Sequence, residues 1–370
     1  MSAVDFEIMA IAVTVAVACA LPGVFLVLRR TALLSDAISH TVLLGIVAAF
    51  FLVQDITSPI LVLGAAATGV LTVALVEALR STGLVKEDAA IGLVFPALFS
   101  IAVILIARYG GNVHLDTDAV LLGELALAPF RRLEIGGVDL GPRTLRLMLG
   151  ILMVDAVFIF LFFKELKVST FDPGLAAALG ISPLVVHYGF MSLVSLTAVG
   201  SFDAVGSILV VAFMIAPPAA AYLLSDRLRH VLLLSALIGA VSAVAGYLVA
   251  RWLDVSIAGS MASMTGVAFV AALLIAPERG LVAMARRRAR QKVEFAQAML
   301  TIHLLHHAGS PDAAEECHVD HLHAHLRWEP QRAMAIVGSA ERGGLVTVEE
   351  NGVMQLTPEG ADVARAAMEF

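Results

Sequence analysis

Nine stretches of this sequence are long and apolar enough to cross a lipid bilayer. They lie near 6–28, 33–53, 58–79, 89–107, 145–164, 183–201, 204–224, 230–250 and 257–276. A crossing needs about 20 apolar residues for about 30 Å of hydrocarbon. Inside that layer every backbone N–H and C=O must be bonded within the protein, so such runs fold as helices. Only 15% of the residues are charged and 59% are hydrophobic, against about 25% charged in a soluble domain. A tenth stretch, 116–130, is apolar but short, and reads as a re-entrant or interfacial piece. The opening MSAVDFE is acidic, unlike the basic start of a secretory signal, so the first run is an uncleaved helix.

Charge sets the orientation. With the N-terminus outside, Arg29, Arg30, Arg80, Lys86, Lys164, Lys167, Arg227 and Arg229 are cytoplasmic, as is the cluster Arg286, Arg287, Arg288, Arg290 and Lys292. Arg108, Arg131, Arg132, Arg143, Arg146 and Arg251 stay outside. The 108–144 loop therefore fits the rule least well. The expected location is the bacterial inner membrane, with the C-terminal region in the cytoplasm.

Polar residues within the spans are expensive and need a reason. The densest set is Ser35, Asp36, Ser39, His40 and Thr41 in the second run. Asp36 and His40, four apart, share a helix face. One carboxylate and one imidazole make half a coordination shell for Mn, Fe or Zn. An interhelical hydrogen-bonded pair without metal is the plainer alternative. Glu77 lies near the end of the third run, and Glu87-Asp88 suit the N-terminus of the next helix, where the dipole favours anions. Asp155 and His187 face the bundle interior, and Asp203 is a cap or a pathway residue. Pro217-Pro218 is expected to break the seventh run.

Between the fifth and sixth runs stands TFDPGLAAALGIS. Asp172 is a good N-cap, Pro173 a good first residue and Gly180 a good C-terminal stop. With Gly174, Ala178 and Leu179 they make a short helix with small surface residues, suited to dock in a cleft on a partner. A plain interfacial turn is the alternative. The chain contains no Gly-Lys dipeptide, so it lacks the phosphate loop of nucleotide-binding proteins. If ATP drives transport, another subunit binds it.

After the basic junction, 281–293, the composition changes. Residues 294–370 hold twelve Asp/Glu against four Arg and no Lys. Helices are expected over 294–308, 313–326 and 330–343, then a hairpin turning at Asn351-Gly352 in a type I′ turn. Thr357 then caps a last helix that starts at Pro358. Three helices, a hairpin and a helix describe a small α+β winged-helix domain over 294–370, beside an all-α membrane bundle over 1–280. Seven of the eleven histidines fall in this tail. His303/His307, Cys317/His321 and His321/His325 are each four apart. With His318 they form a candidate cytoplasmic metal site, near Glu315, Glu316 and Asp320. A solvated, histidine-rich helix is the alternative. The tail is too acidic for phosphate contacts, and its third helix offers only Arg332 and Arg342. Nucleic acid is not an expected partner.

The strings SDAISHTVLLG, EDAAIGLVF, VLLGELA, DPGLAAALGIS and VGSILVVAFMIAPPAAAYLL occur in the order seen in permeases of the zinc/manganese/iron ABC importer family, which residues 6–280 resemble. The resemblance implies a permease dimer, of one chain or two related ones, with two cytoplasmic ATPases and an extracytoplasmic metal-binding protein. It implies a divalent transition metal as cargo, with Asp36 and His40 on its path. It also implies that 172–181 is the coupling helix seated on the ATPase. The tail, notably GGLVTVEENGVMQLTPEGADVA, resembles the winged helix of metal-responsive repressors. A membrane-anchored metal sensor is therefore the alternative function.

Overall fold

The computed structural model describes residues 2–54, 58–109, 125–135, 138–311 and 313–368. They fall into two compact units, 1–280 and 281–370.

The first unit is a helical bundle. Its helices are α1 (Ala3–Leu28), α2 (Leu33–Val53), α3 (Pro59–Ser81), α4 (Glu87–Tyr109), α5 (Arg143–Leu161), α6 (Phe163–Phe171), α7 (Pro173–Ala178), α8 (Pro183–Leu224), α9 (Leu228–Leu253) and α10 (Ile257–Ile275). Among the described residues nine helical segments are long and apolar enough to span a membrane, at the nine places read from the sequence. α1 is the central one: 72% of its apolar window is buried, against 28% for α4, α5 and α10. It lies against α8, α9 and α5. Phe25, Ile11 and Leu26 of α1 join Phe190, Phe213 and Met214 of α8 in the core. Large apolar side chains such as Leu63, Phe160, Leu233 and Val270 point outward, as expected where the solvent is lipid. A two-stranded antiparallel ribbon, β1 (Arg132–Ile135) and β2 (Val138–Pro142), precedes α5. The 116–130 stretch lies largely outside the described residues. Its last part, 128–130, is a short 3-10 turn with Ala128 buried.

One expectation fails here. Pro217-Pro218 does not break the seventh span, because α8 runs through both prolines. Proline holds φ near the helical value, but it removes its own N–H bond and crowds the carbonyl one turn back. The Met214 carbonyl, which Pro218 cannot bond, lies against Gly23 of α1, where an added Cβ would sit only 2.2 Å away. Packing thus covers the freed acceptor, as membrane bundles allow. The real break is at Gly206, whose φ of 77° and ψ of 166° are non-helical and open only to glycine. The fifth span is found where expected but is shorter. It stops at Leu161, pivots at Phe162 (φ −99°, ψ 22°), and a separate helix, α6, follows.

The second unit contains α11 (Leu281–His307), α12 (Ala313–Glu316), α13 (Leu322–Leu326), α14 (Pro330–Arg342), β3 (Val346–Val348), β4 (Met354–Leu356) and α15 (Pro358–Met368). Its own core gathers Leu300, Leu304, Leu322, Trp328, Ile336 and Met354. The basic run 286–292 is helical and lies within α11. The expected helix over 313–326 is interrupted, since Cys317 and Val319 turn their backbone bonds to the hairpin: Met354 N donates to Cys317 O (3.0 Å) and Val319 N to Gly352 O (3.2 Å). The hairpin forms, with Val348 opposite Met354, but not through a type I′ turn. Gly352 N donates to Glu349 O and Glu349 N to Val353 O, and of Asn351-Gly352 only Gly352 has positive φ, 83°. This is a type I turn closed by a left-handed glycine, the usual three-residue hairpin loop. Thr357 caps α15 by accepting from Gly360 N at 3.0 Å.

Candidate functional site

α2 presents two kinds of polar residue. Ser35, Ser39 and Thr41 are buried and bond inward. Ser35 donates to Ala32 O, Ser39 to Ser35 O, and Thr72 of α3 to Thr41 Oγ1 at 2.7 Å. Asp36 and His40 behave differently. His40 Nε2 lies 3.5 Å from Asp36 Oδ1, and the side chains remain 44% (Asp36) and 28% (His40) exposed. The spacing predicted from sequence therefore holds: both occupy one helix face. Phe95 and Phe99 of α4 flank the imidazole, with ring centroids 5.6 and 6.2 Å away. The pair thus has aromatic rings beside the imidazole and keeps part of both side chains open. Within one chain, the described residues bring no third His, Cys, Asp or Glu ligand to this pair. The side chain of Asp203 lies outside the described residues.

The position of α2 depends on small residues. An added Cβ on Gly45 would sit 2.2 Å from Gly64 O of α3, and one on Gly64 would sit 2.8 Å from Ala49 Cβ. Gly45 and Ala49, four apart, face Gly64 and Thr68, also four apart, so the two helices touch backbone to backbone.

The other candidate is α7. Leu175 N donates to Asp172 Oδ1 at 2.9 Å, which makes Asp172 the N-cap. Pro173 opens the helix. Gly180 N donates to Ala177 O and Ile181 N to Ala176 O, with Gly180 at φ 81°, a Schellman stop as expected from sequence. Of its residues only Ala176 is buried; Gly174, Ala178 and Leu179 are exposed. Exposed Leu175 and Phe171 extend the same apolar knob and were not anticipated. Large apolar residues in a loop between two spans were the signal that could have found them. Arg29 anchors the base, donating to Ser169 Oγ and Thr170 Oγ1, both at 3.0 Å, with its guanidinium over the Phe190 ring. Beside it a cleft is lined by Arg29, Glu77, Arg80, Pro173 and His187. Arg80 pairs with Glu77 one turn back on α3 (2.9 Å) and with Glu87 of α4 (3.0 Å), so Glu87 ties α4 to α3 as well as standing in the first turn of its helix.

Asp155, expected to bond within the bundle, accepts from Thr197 Oγ1 at 2.9 Å; His187, expected to do the same, has a buried Nε2 with no hydrogen-bond partner among the described residues. A bundle of nine spans carrying a carboxylate–imidazole pair and an exposed capped knob is matched over residues 4–276 by the model of the ABC 3 transport family. The chain belongs to the ABC 3 transport family. It is similar to the zinc transport system membrane protein TroD of Treponema pallidum, 47% identical over 98% of both chains. It is also similar to the manganese transport system membrane protein MntD of Bacillus subtilis, 51% identical over 78% of this chain and 98% of that one. The first match takes in the C-terminal unit. The second, over 289 residues, leaves room for little of it. Among solved structures, PsaBC from Streptococcus pneumoniae in complex with Fab matches with a TM-score of 0.63 and 27% identity, covering 75% of this chain and 94% of that one.

In the C-terminal unit the structure sorts the expected ligands. His303, His307, His321 and His325 come together around Glu316, whereas Cys317 and His318 do not join them. Cys317 is buried in the core, and burial pushes its thiol up, away from the thiolate that binds metal. His318 Nε2 faces Asn351 O at 2.9 Å, and its Nδ1 accepts from Asp320 N. Both of its ring nitrogens are occupied.

Proposed function

We propose that this chain is the membrane-spanning permease subunit of an ATP-driven importer for a divalent transition metal, zinc or manganese. The observation that carries the reading is the half-exposed Asp36–His40 pair on α2, in a chain of a transport family. Zinc and manganese come from the names of the relatives. Neither names iron, which drops from the reading. A dehydrating ion needs more ligands than two, so a second permease, this chain again or a related one, is the expected source of the remainder. The half-open face of the pair supports that arrangement.

The chain carries no phosphate loop, so a separate ATPase hydrolyses ATP, and α7 docks on it. The exposed, capped and rooted knob supports this role. An extracytoplasmic metal-binding protein delivers the ion. In our reading the N-terminus is outside and residues 281–370 are cytoplasmic. Among the arginines then left outside, Arg132 pairs with Glu7 and Asp139, and Arg251 with Asp5. Their pairing softens their weight against the positive-inside bias. We read the C-terminal unit as winged-helix-like, on its order of helices, hairpin and helix and on the short 317–319 bridge to the hairpin. The membrane-anchored sensor gains nothing from the relatives, which are named for transport.

The test is ATP hydrolysis by the permease copurified with its ATPase in lipid. Zinc or manganese, presented with the extracytoplasmic binding protein, should stimulate it. A permease that retains no ATPase, or hydrolysis indifferent to every metal, contradicts the reading.

A further inference from the structure

The C-terminal unit gathers side chains for which transport has no use. His303 and His307 stand one turn apart on α11, with ring centroids 4.7 Å apart. The chain after α11 folds back and brings His325 to 5.4 Å from the His303 ring and 6.0 Å from the His307 ring. Glu316 sits among them, with Oε2 2.7 Å from His325 Nε2. That oxygen is buried and, among the described residues, makes no well-formed hydrogen bond. Donor atoms of His303, His307 and Glu316 lie within 4.8 Å of one another, as do those of Glu316, His321 and His325. His303 Nε2 is also 3.0 Å from the Glu316 carbonyl oxygen, which ties the turn to the helix.

Folding gains little from several imidazoles packed on one half-buried carboxylate whose Oε2 is shut off from water, because each desolvated polar atom must be satisfied. A dication supplies what the cluster lacks. We propose that Glu316, His303, His307 and His325 form a binding site for a divalent transition metal of the zinc class, with His321 at its rim. Three imidazoles and a carboxylate are a borderline nitrogen–oxygen set, which suits zinc better than manganese. Zinc–nitrogen bonds of about 2.0–2.1 Å put tetrahedral donors about 3.3 Å apart. Within the His303–His307–Glu316 trio, donors now up to 4.8 Å apart must draw in by about 1.5 Å as the ion enters, and His325, grouped with Glu316 but not with that trio, must swing in further by side-chain rotation. Two ligands come from α11 and two from the segment that follows. The bound ion thus staples that segment to the end of the helix. The site does not depend on the transport reading.

The test uses the full chain in detergent, with Asp36→Ala and His40→Ala so that the α2 pair does not compete. Titration with zinc should show one ion per chain. Cobalt(II) in its place should give the intense visible absorption of a tetrahedral centre. His307→Ala and, separately, Glu316→Gln should each weaken zinc binding at least about tenfold, the lower end expected when support for a metal is lost. His323→Ala, an exposed histidine outside the cluster, should leave it unchanged. Zinc should raise the melting temperature of the parent but not of the His307→Ala chain, while the two melt together without metal. Binding no tighter than about millimolar, or equal loss in His323→Ala and His307→Ala, overturns the site. If His307→Ala melts early without metal, His325→Ala replaces it; unchanged zinc binding there also overturns the site.

Discussion

Gly45→Ala adds one methyl group where α2 crosses α3. That Cβ would lie 2.2 Å from Gly64 O and 2.5 Å from Thr68 Oγ1. The threonine hydroxyl can rotate away, but the carbonyl is fixed in its helix. Ordinary carbon–oxygen contact is about 3.3 Å, so the helices must part by about 1 Å. A gap of about 0.5–1 Å forfeits a quarter to a half of each contact it opens. Overpacking of this kind costs about 1–3 kcal/mol. Alanine recovers about 1 kcal/mol through helix propensity, so the net loss is about 0–2 kcal/mol, and the deficit against an unhindered glycine-to-alanine change is about 1–3 kcal/mol. Gly266→Ala on α10 is the control, because nothing lies within 4 Å of its added Cβ; it should be neutral or slightly stabilising. Melting of the purified chain in detergent measures both. Metal uptake should fall in Gly45→Ala, since Asp36 and His40 ride on the same helix. If Gly45→Ala melts at or above Gly266→Ala, backbone contact at this crossing is not what positions α2.

Gly174→Trp or Ala178→Trp puts an indole on the exposed face of α7 and should detach or uncouple the ATPase, measured by copurification and metal-stimulated hydrolysis, with the permease melting unchanged. Reporter fusions after Arg80 and after Met284 should both read cytoplasm; a periplasmic signal from either breaks the proposed topology. The C-terminal unit should lose stability in mild acid. Burial, then the neighbouring His307 and His325, hold the His303 imidazole below its ordinary value of 6.5. The unfolded chain therefore binds the extra proton first, and stability present above about pH 6.5 is lost as pH falls through the folded value. Fluorescence of buried Trp328, in a chain with exposed Trp252 replaced by phenylalanine, follows this. A midpoint that does not move between about pH 7.5 and 5.5 contradicts it.

The spans were legible because a bilayer imposes a length and an apolarity that few other environments demand. α7 was legible too, since capping by Asp172 and termination at Gly180 are local chemistry. The break at Gly206 was not. A glycine inside an apolar run carries no sign of its φ, whereas Pro217-Pro218 advertised a break that neighbouring helices absorb. The pivot at Phe162 has no glycine or proline to mark it. In the tail, the pairing of His303 with His307 followed from helical spacing. The departure of Cys317 and His318 did not, because it depends on backbone bonds to a hairpin more than thirty residues further on. Glu316 was noted only as a neighbour, yet it lies at the centre of the cluster.

The central claim is that a metal ion passes the carboxylate and imidazole on α2. The direct measurement is uptake of radioactive manganese and zinc into vesicles holding the permease, its ATPase and the extracytoplasmic binding protein. Wild type is compared with Asp36→Ala and His40→Ala. The account predicts that each substitution abolishes uptake while the complex still assembles and melts as the wild type does. Uptake at the wild-type rate in both variants would return Asp36 and His40 to a structural hydrogen-bonded pair and contradict the account.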